Sequence, residues 1–186
     1  MGAMKIKVGV MGSAGGRMAE SVRKKARALG KALGRRGCVV VTGGCPGLPQ
    51  EATLGAKAAG AFTLGISPAL DVREHMRRYG SPVRGIDALI FTGAGLMGRE
   101  VTAIRTCDIV IIIGGRSGTL GEFAIAYDEG KLIGVLEGSG GITDAIPDIL
   151  NHIRKKTGSK IVFDRNPERL VDSLLAIYRT GEKRRR

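Results

Sequence analysis

The chain has 186 residues, a length that fits one domain and can close a hydrophobic core without metals or disulfides. Glycine fills 30 positions, roughly twice ordinary usage, without a three-residue period, and the hydrophobic fraction of 43% is that of a folded domain, so disorder and collagen are excluded. A net charge of +13 favours anionic partners, yet three Tyr, four Phe and no Trp leave little for a surface that stacks bases.

In chain order, short apolar runs alternate with longer amphipathic ones, the pattern of βαβ units and a parallel sheet covered on both faces. Ile6 to Met11 reads as a strand ending in Gly12-Ser13-Ala14-Gly15-Gly16. Residues 17 to 36 have helical spacing, with Val22, Ala26, Leu29 and Leu33 on one stripe, and Gly37 suits the left-handed position after the helix end. Cys38 to Val41 is a strand, Gly43 to Pro49 a turn, Glu51 to Ala59 a small-residue helix, and Phe62 to Ile66 a third strand. Ser67 to Asp87 has no clear period and is expected as an irregular excursion near a binding site, with His75 a solvent-exposed loop histidine.

Ala88 to Phe91 is a short strand and Arg99 to Thr106 a helix, while Ile109 to Ile113 is a continuous β-branched run typical of a central parallel strand. Thr119 to Glu129 is helical, Leu132 to Leu136 a strand, Ile142 to Lys156 a helix, Lys160 to Phe163 a last strand and Pro167 to Tyr178 a last helix. The expected fold is a doubly wound, Rossmann-like α/β domain of about seven parallel strands over residues 1–186. Met1 to Met4 reads as an expression scar and 179–186 as a frayed basic tail.

The charge is concentrated. Arg17, Arg23, Lys24, Lys25, Arg27, Lys31, Arg35 and Arg36 face only Glu20 on the first helix, and with the tail they hold most of the excess. Solvated faces explain this better than nucleic-acid binding. Cys38, Cys45 and Cys107 lack metal-ligand spacing, and His75 and His152 have no acidic cluster joining them, so no metal site is expected. No apolar run reaches the roughly 20 residues of a membrane span, and a reducing cytoplasm is the expected location.

Glycine clusters follow five strands: 12–16, Gly43-Gly44 with Gly47, Gly93 to Gly98, Gly114 to Gly118, and Gly138 to Gly141. Ligands in such sheets sit beyond the carboxyl ends of the strands, so the five loops are expected to converge on one crevice. Gly114-Gly115-Arg116-Ser117-Gly118-Thr119-Leu120-Gly121-Glu122 follows a buried strand and opens a helix, which makes it a phosphate seat: glycines admit the ligand, and free N–H groups with the helix dipole favour an anion. It lacks the Lys-Ser/Thr of a triphosphate-hydrolysing loop. Thr119 to Glu122 also fits a capping box, with Glu122 reaching back to the Thr119 N–H.

Met97-Gly98-Arg99, followed by Gly115-Arg116-Ser117-Gly118-Thr119-Leu120-Gly121-Glu122, resembles the paired motifs of the lonely-guy (LOG) family, formerly labelled lysine decarboxylases. Thr42-Gly43-Gly44-Cys45-Pro46-Gly47-Leu48 is similar to that family's second-strand loop. The resemblance implies a nucleoside 5′-monophosphate phosphoribohydrolase, with Arg99 and Glu122 as the catalytic pair. Ser117, Gly118, Thr119 and Gly115 would hold the phosphate, and Gly12, Ser13, Gly43, Gly44, Gly47 and Met97 the rest of the nucleotide. It also implies a homodimer with the site near the interface, and no required cofactor. Glu122 would stabilise an oxocarbenium-like transition state or activate water, and Arg99 would orient the ribose phosphate or Glu122.

Gly114 in place of the motif proline, Glu100 after Arg99 where the enzymes have Lys, and the long 67–87 excursion are departures from LOG. Together with Glu137 to Asp144 they look closer to the branch of the molybdenum cofactor carriers, which bind a phosphorylated pterin. The alternative is therefore a carrier that holds its ligand without cleaving it. Pyridoxal phosphate chemistry is excluded, because no Lys lies in the five loops.

Overall fold

The computed structural model describes residues 4–185, with side chains to Gly181, so Met1 to Ala3 of the expected Met1 to Met4 scar and the charged side chains from 182 onward lie outside the described residues. Fourteen elements alternate in order: β1 (Lys7–Gly12), α1 (Glu20–Arg35), β2 (Val39–Thr42), α2 (Leu48–Ala58), β3 (Thr63–Ser67), α3 (Val72–Arg77), β4 (Ala88–Phe91), α4 (Gly95–Thr106), β5 (Ile109–Ile113), α5 (Ser117–Asp128), β6 (Leu132–Leu136), α6 (Ile142–His152), β7 (Lys160–Asp164) and α7 (Pro167–Arg185). Every strand pairing is parallel, in the order β4-β3-β2-β1-β5-β6-β7. The chain grows outward from β1 in one direction, then returns to β1's other side with β5. That reversal puts the switch point between the ends of β1 and β5, where Gly12 pairs with Ile113.

β5 shows why the sheet is two-sided. Ile109, Ile111 and Ile113 pack with Leu29 and Leu33 of α1 and Leu170 and Leu174 of α7; Val110 and Ile112 pack with Ile104 of α4, Phe123 of α5 and Ile146 of α6. Strand alternation thus feeds two cores from one continuous apolar run. α1 and α2 approach backbone to backbone: a Cβ on Gly30 would lie 1.9 Å from the Ala52 carbonyl oxygen, and one on Gly55 2.0 Å from that of Arg27. Gly37 takes φ +73°, while Cys38 N–H donates to Leu33 O and Gly37 N–H to Gly34 O, closing α1 as its sequence predicts.

Three expectations are corrected. The 67–87 excursion contains the short helix α3, capped by Asp71, whose carboxylate accepts from Glu74 N–H at 2.8 Å. His75 is fully buried: Ser67 Oγ lies 2.8 Å from Nδ1 and Pro82 O 3.2 Å from Nε2, so the histidine fastens the excursion to β3. The tail is not frayed through its length, since α7 continues to Arg185. Among the described residues no helix is long and apolar enough to cross a membrane.

Candidate functional site

A crevice of ≈ 470 Å³ opens beyond the ends of β1 and β5. Gly12 forms its floor because a Cβ there would stand 2.3 Å from Ile113 O. The Ser13 hydroxyl accepts from Gly115 N–H at 2.7 Å, and Ser139 Oγ accepts from Gly114 N–H at 2.8 Å. Thr143 Oγ1 donates to Gly114 O at 2.5 Å. Both glycines have positive φ, +58° at Gly114 and +107° at Gly115. Proline cannot adopt +58°, so this backbone excludes the LOG motif's proline at position 114.

The crevice is thus built from four of the five glycine loops. The fifth, 138–141, does not line it; Gly141 packs under the Gly115 carbonyl, where a Cβ would stand 2.3 Å away. Gly12, Ser13, Gly43, Met97, Arg99, Ser117, Gly118, Thr119 and Glu122 line the crevice as expected. Gly44, Gly47 and Gly115 do not; they shape it from behind, Gly47 lying against Ser13 O and Gly44 against the His75 ring.

α5 begins at Ser117, two residues earlier than its spacing predicts, with Arg116 in extended conformation as its N-cap and no side chain capping the first turn. The first-turn N–H groups of Ser117, Gly118 and Thr119 are therefore left for an anion. The same shift removes the capping box. Thr119 is already inside the helix, and Glu122 accepts no hydrogen bond among the described residues.

Arg99 is 7% exposed, not a surface arginine. Its Nη1 donates to Ile66 O at 3.2 Å, and its guanidinium lies on Gly43, while Nε is buried without a hydrogen-bond partner. Glu122 is 6% exposed. Burial pushes its carboxyl up to about 7, with Glu100 adding to the rise and Arg99 opposing it. Burial likewise raises Glu100, again against Arg99. A buried carboxyl titrating near neutrality beside a fixed cation can serve as a proton-exchanging group or as a hydrogen-bonding partner in either protonation state.

Glu100, Cys45, Arg116 and Leu96 also line the crevice and were not among the expected site residues. For Glu100 a signal existed: an acid directly after Arg99, where the LOG motif has Lys. Burial pushes the Cys45 thiol up, with Arg99 opposing, so it is a poor nucleophile there.

Elsewhere, the basic helix is partly neutralised within the fold. Arg23 and Arg27 both grip Glu51 of α2, at 2.6 and 2.7 Å, Arg35 reaches Glu168 and Arg36 Asp172. A hollow of ≈ 580 Å³ lies at the opposite end of the sheet, where Lys7 pairs with Asp108, Arg105 with Glu129, and Lys131 donates to the Cys107 carbonyl.

The chain is similar to several known proteins. The molybdenum cofactor binding protein of the phototrophic bacterium Rippkaea orientalis is 26% identical, with 95% of this chain and 99% of that one covered and a TM-score of 0.76. The molybdenum cofactor carrier protein of Chlamydomonas reinhardtii is 27% identical, covers 92% and 99%, and gives a TM-score of 0.72. An uncharacterised protein of Archaeoglobus fulgidus is 30% identical over 132 residues, 71% of this chain and 80% of that protein. Residues 5–171 match the SLOG cluster4 family, and the chain belongs to that family.

Proposed function

We propose that the protein binds a phosphorylated small molecule in the crevice at the β1/β5 switch point and acts as a ligand carrier, with a pterin or nucleotide phosphate as cargo. The observation that carries this reading is the uncapped first turn of α5, whose N–H groups meet Arg99 across a crevice of ligand size. Likeness to molybdenum cofactor carriers supports it. The ligand is the cargo, and no metal or further cofactor is required. The test is to purify the protein without added ligand and to examine it by absorbance and mass spectrometry. A phosphorylated heterocycle copurifying in stoichiometric amount is the expected result; an empty protein that binds no pterin or nucleoside phosphate in titration would overturn it.

A second reading is favoured by one observation, the Glu122 carboxyl raised to about 7 near Arg99. In it, the pair cleaves the N-glycosidic bond of AMP or a related nucleotide. Ionised Glu122 would stabilise the positive charge developing at the ribose anomeric carbon or take a proton from water, and Arg99 would orient the phosphate or Glu122 itself. Incubation with AMP and other nucleoside monophosphates, scoring free base and ribose 5-phosphate, decides between turnover and carriage.

We also propose a homodimer. β4 is an edge strand, and Leu70, Met76, Ile90, Phe91, Leu96 and Met97 are apolar and exposed around it, the last two beside the crevice. Sedimentation of the wild type against Ile90→Lys tests this; a monomer at all concentrations would rule it out. The resulting dimer would have a cytoplasmic setting.

A further inference from the structure

Two buried carboxylates face the crevice, and the readings above use only one of them. The other is Glu100, 5% exposed and adjacent to Arg99 on α4. Its side chain reaches α5, where two glycines make room for it. A Cβ on Gly121 would stand 2.9 Å from Oε2, and one on Gly118 3.5 Å from Oε1. Among the described residues the carboxylate accepts no hydrogen bond and joins no ion pair. Its oxygens are not sealed off: the buried side-chain atoms without a partner among the described residues are Gln50 Oε1 and Arg99 Nε, so those of Glu100 open to the crevice. A ligand that fills the crevice and shuts out solvent leaves this acid costly to keep unless the ligand itself supplies donors.

The crevice therefore makes two opposite demands. The first turn of α5 and the Arg99 guanidinium call for an anion, while the oxygens of Glu100 call for N–H groups. A phosphorylated molecule whose ring carries two adjacent donors meets both. We propose that Glu100 is a specificity-determining residue that accepts hydrogen bonds from the exocyclic amino group and the neighbouring ring N–H of a 2-amino-4-oxopyrimidine ring. Guanine and the pterins share that edge. Adenine does not, because its ring nitrogen at the corresponding position is an acceptor, and hypoxanthine lacks the amino group. The two oxygens of one carboxylate match the spacing of the two donors, as they match an arginine fork. This inference rests on the phosphate-binding reading and adds to it the ring that the phosphate carries.

The test is calorimetric titration with two ligand pairs, each differing at the amino position. GMP is compared with IMP, and 6-hydroxymethylpterin phosphate with its 2-oxo lumazine counterpart. Wild type is expected to favour the amino member of each pair by about 10- to 100-fold, the worth of a hydrogen bond to a charged acceptor. The tighter-binding amino ligand identifies the source of the ring. Glu100→Gln, which presents an amide donor to one of the ligand's donors, is expected to bring each ratio close to one, weakening the amino member much more than the 2-oxo member or IMP, which keep only the ring N–H. An unchanged ratio in Glu100→Gln overturns the proposal. So does loss of IMP binding together with GMP binding in both Glu100→Gln and Glu100→Ala, because Glu100 would then be scaffold. If wild type binds GMP and IMP equally, the ring assignment falls and phosphate binding stands. If it binds neither pair at all, phosphate binding falls with it.

Discussion

The Arg99 guanidinium lies directly on the Cα of Gly43: a Cβ at that position would stand 1.8 Å from Nη1. The second-strand loop and α4 are therefore matched through one absent side chain. In Gly43→Ala the guanidinium must leave its place, and because it is the end of a long side chain the backbone need not follow. The expected result is near-normal thermal stability with about a 10- to 100-fold loss of affinity for the proposed phosphorylated ligand, the scale of one lost charged hydrogen bond. Titration calorimetry beside a melting curve checks both halves.

Glu122 gives a pH dependence with a definite sign. Its folded carboxyl titrates at about 7, against an ordinary 4.5, so between those values the folded state holds a proton that the unfolded state has released. Its contribution is neutral below the lower value, becomes unfavourable as pH rises through the window, and is constant above it. Glu122→Gln removes the penalty and is expected to raise stability by up to about 3 kcal/mol at pH 8 with little change at pH 4. Denaturant unfolding at the two pH values measures this. Equal gains at both would show that the carboxyl titrates normally.

Ser13 holds the proposed phosphate seat from the first loop by accepting the Gly115 N–H at 2.7 Å. Ser13→Ala leaves that donor without its acceptor, at an expected cost of about 1–3 kcal/mol. Ligand affinity should fall as well, whereas Ser13→Thr, which keeps the hydroxyl, should restore part of both. Chemical denaturation and calorimetry on the same samples report the two effects.

Ser67 and His75 form a buried pair at 2.8 Å, with Ser67 Oγ also accepting from Ala69 N–H. Removing the hydroxyl in Ser67→Ala strands a ring nitrogen and a backbone donor under the excursion. Limited proteolysis is expected to cut first between 68 and 86 in this variant, at a protease level that leaves the wild type whole. Cleavage elsewhere first would show that the pair does not anchor the segment.

Much of the sheet was legible because strands buried on both faces write themselves as apolar runs; Ile109 to Ile113 is the clearest case. The position of Arg99 and Glu122 in one crevice followed from matched motifs. His75 was misread because burial of one histidine leaves no periodic trace, and depends on Ser67 and Pro82 being folded beside it. The capping box failed for a related reason. Thr-x-x-Glu fits the pattern, but the backbone turns helical at Ser117, so geometry overrode a correct local signal. Glu100 was seen as a departure from a motif, and only the glycines at 118 and 121 reveal where its carboxylate goes.

The crevice walls run from Val10 to Glu122, and the Ser139 hydroxyl behind them belongs to a still later loop. No early stretch of chain holds the whole crevice. On the proposed carrier function, loading follows the folding of the chain through Ser139, and a growing chain on the ribosome offers no complete seat until β6 has joined β5.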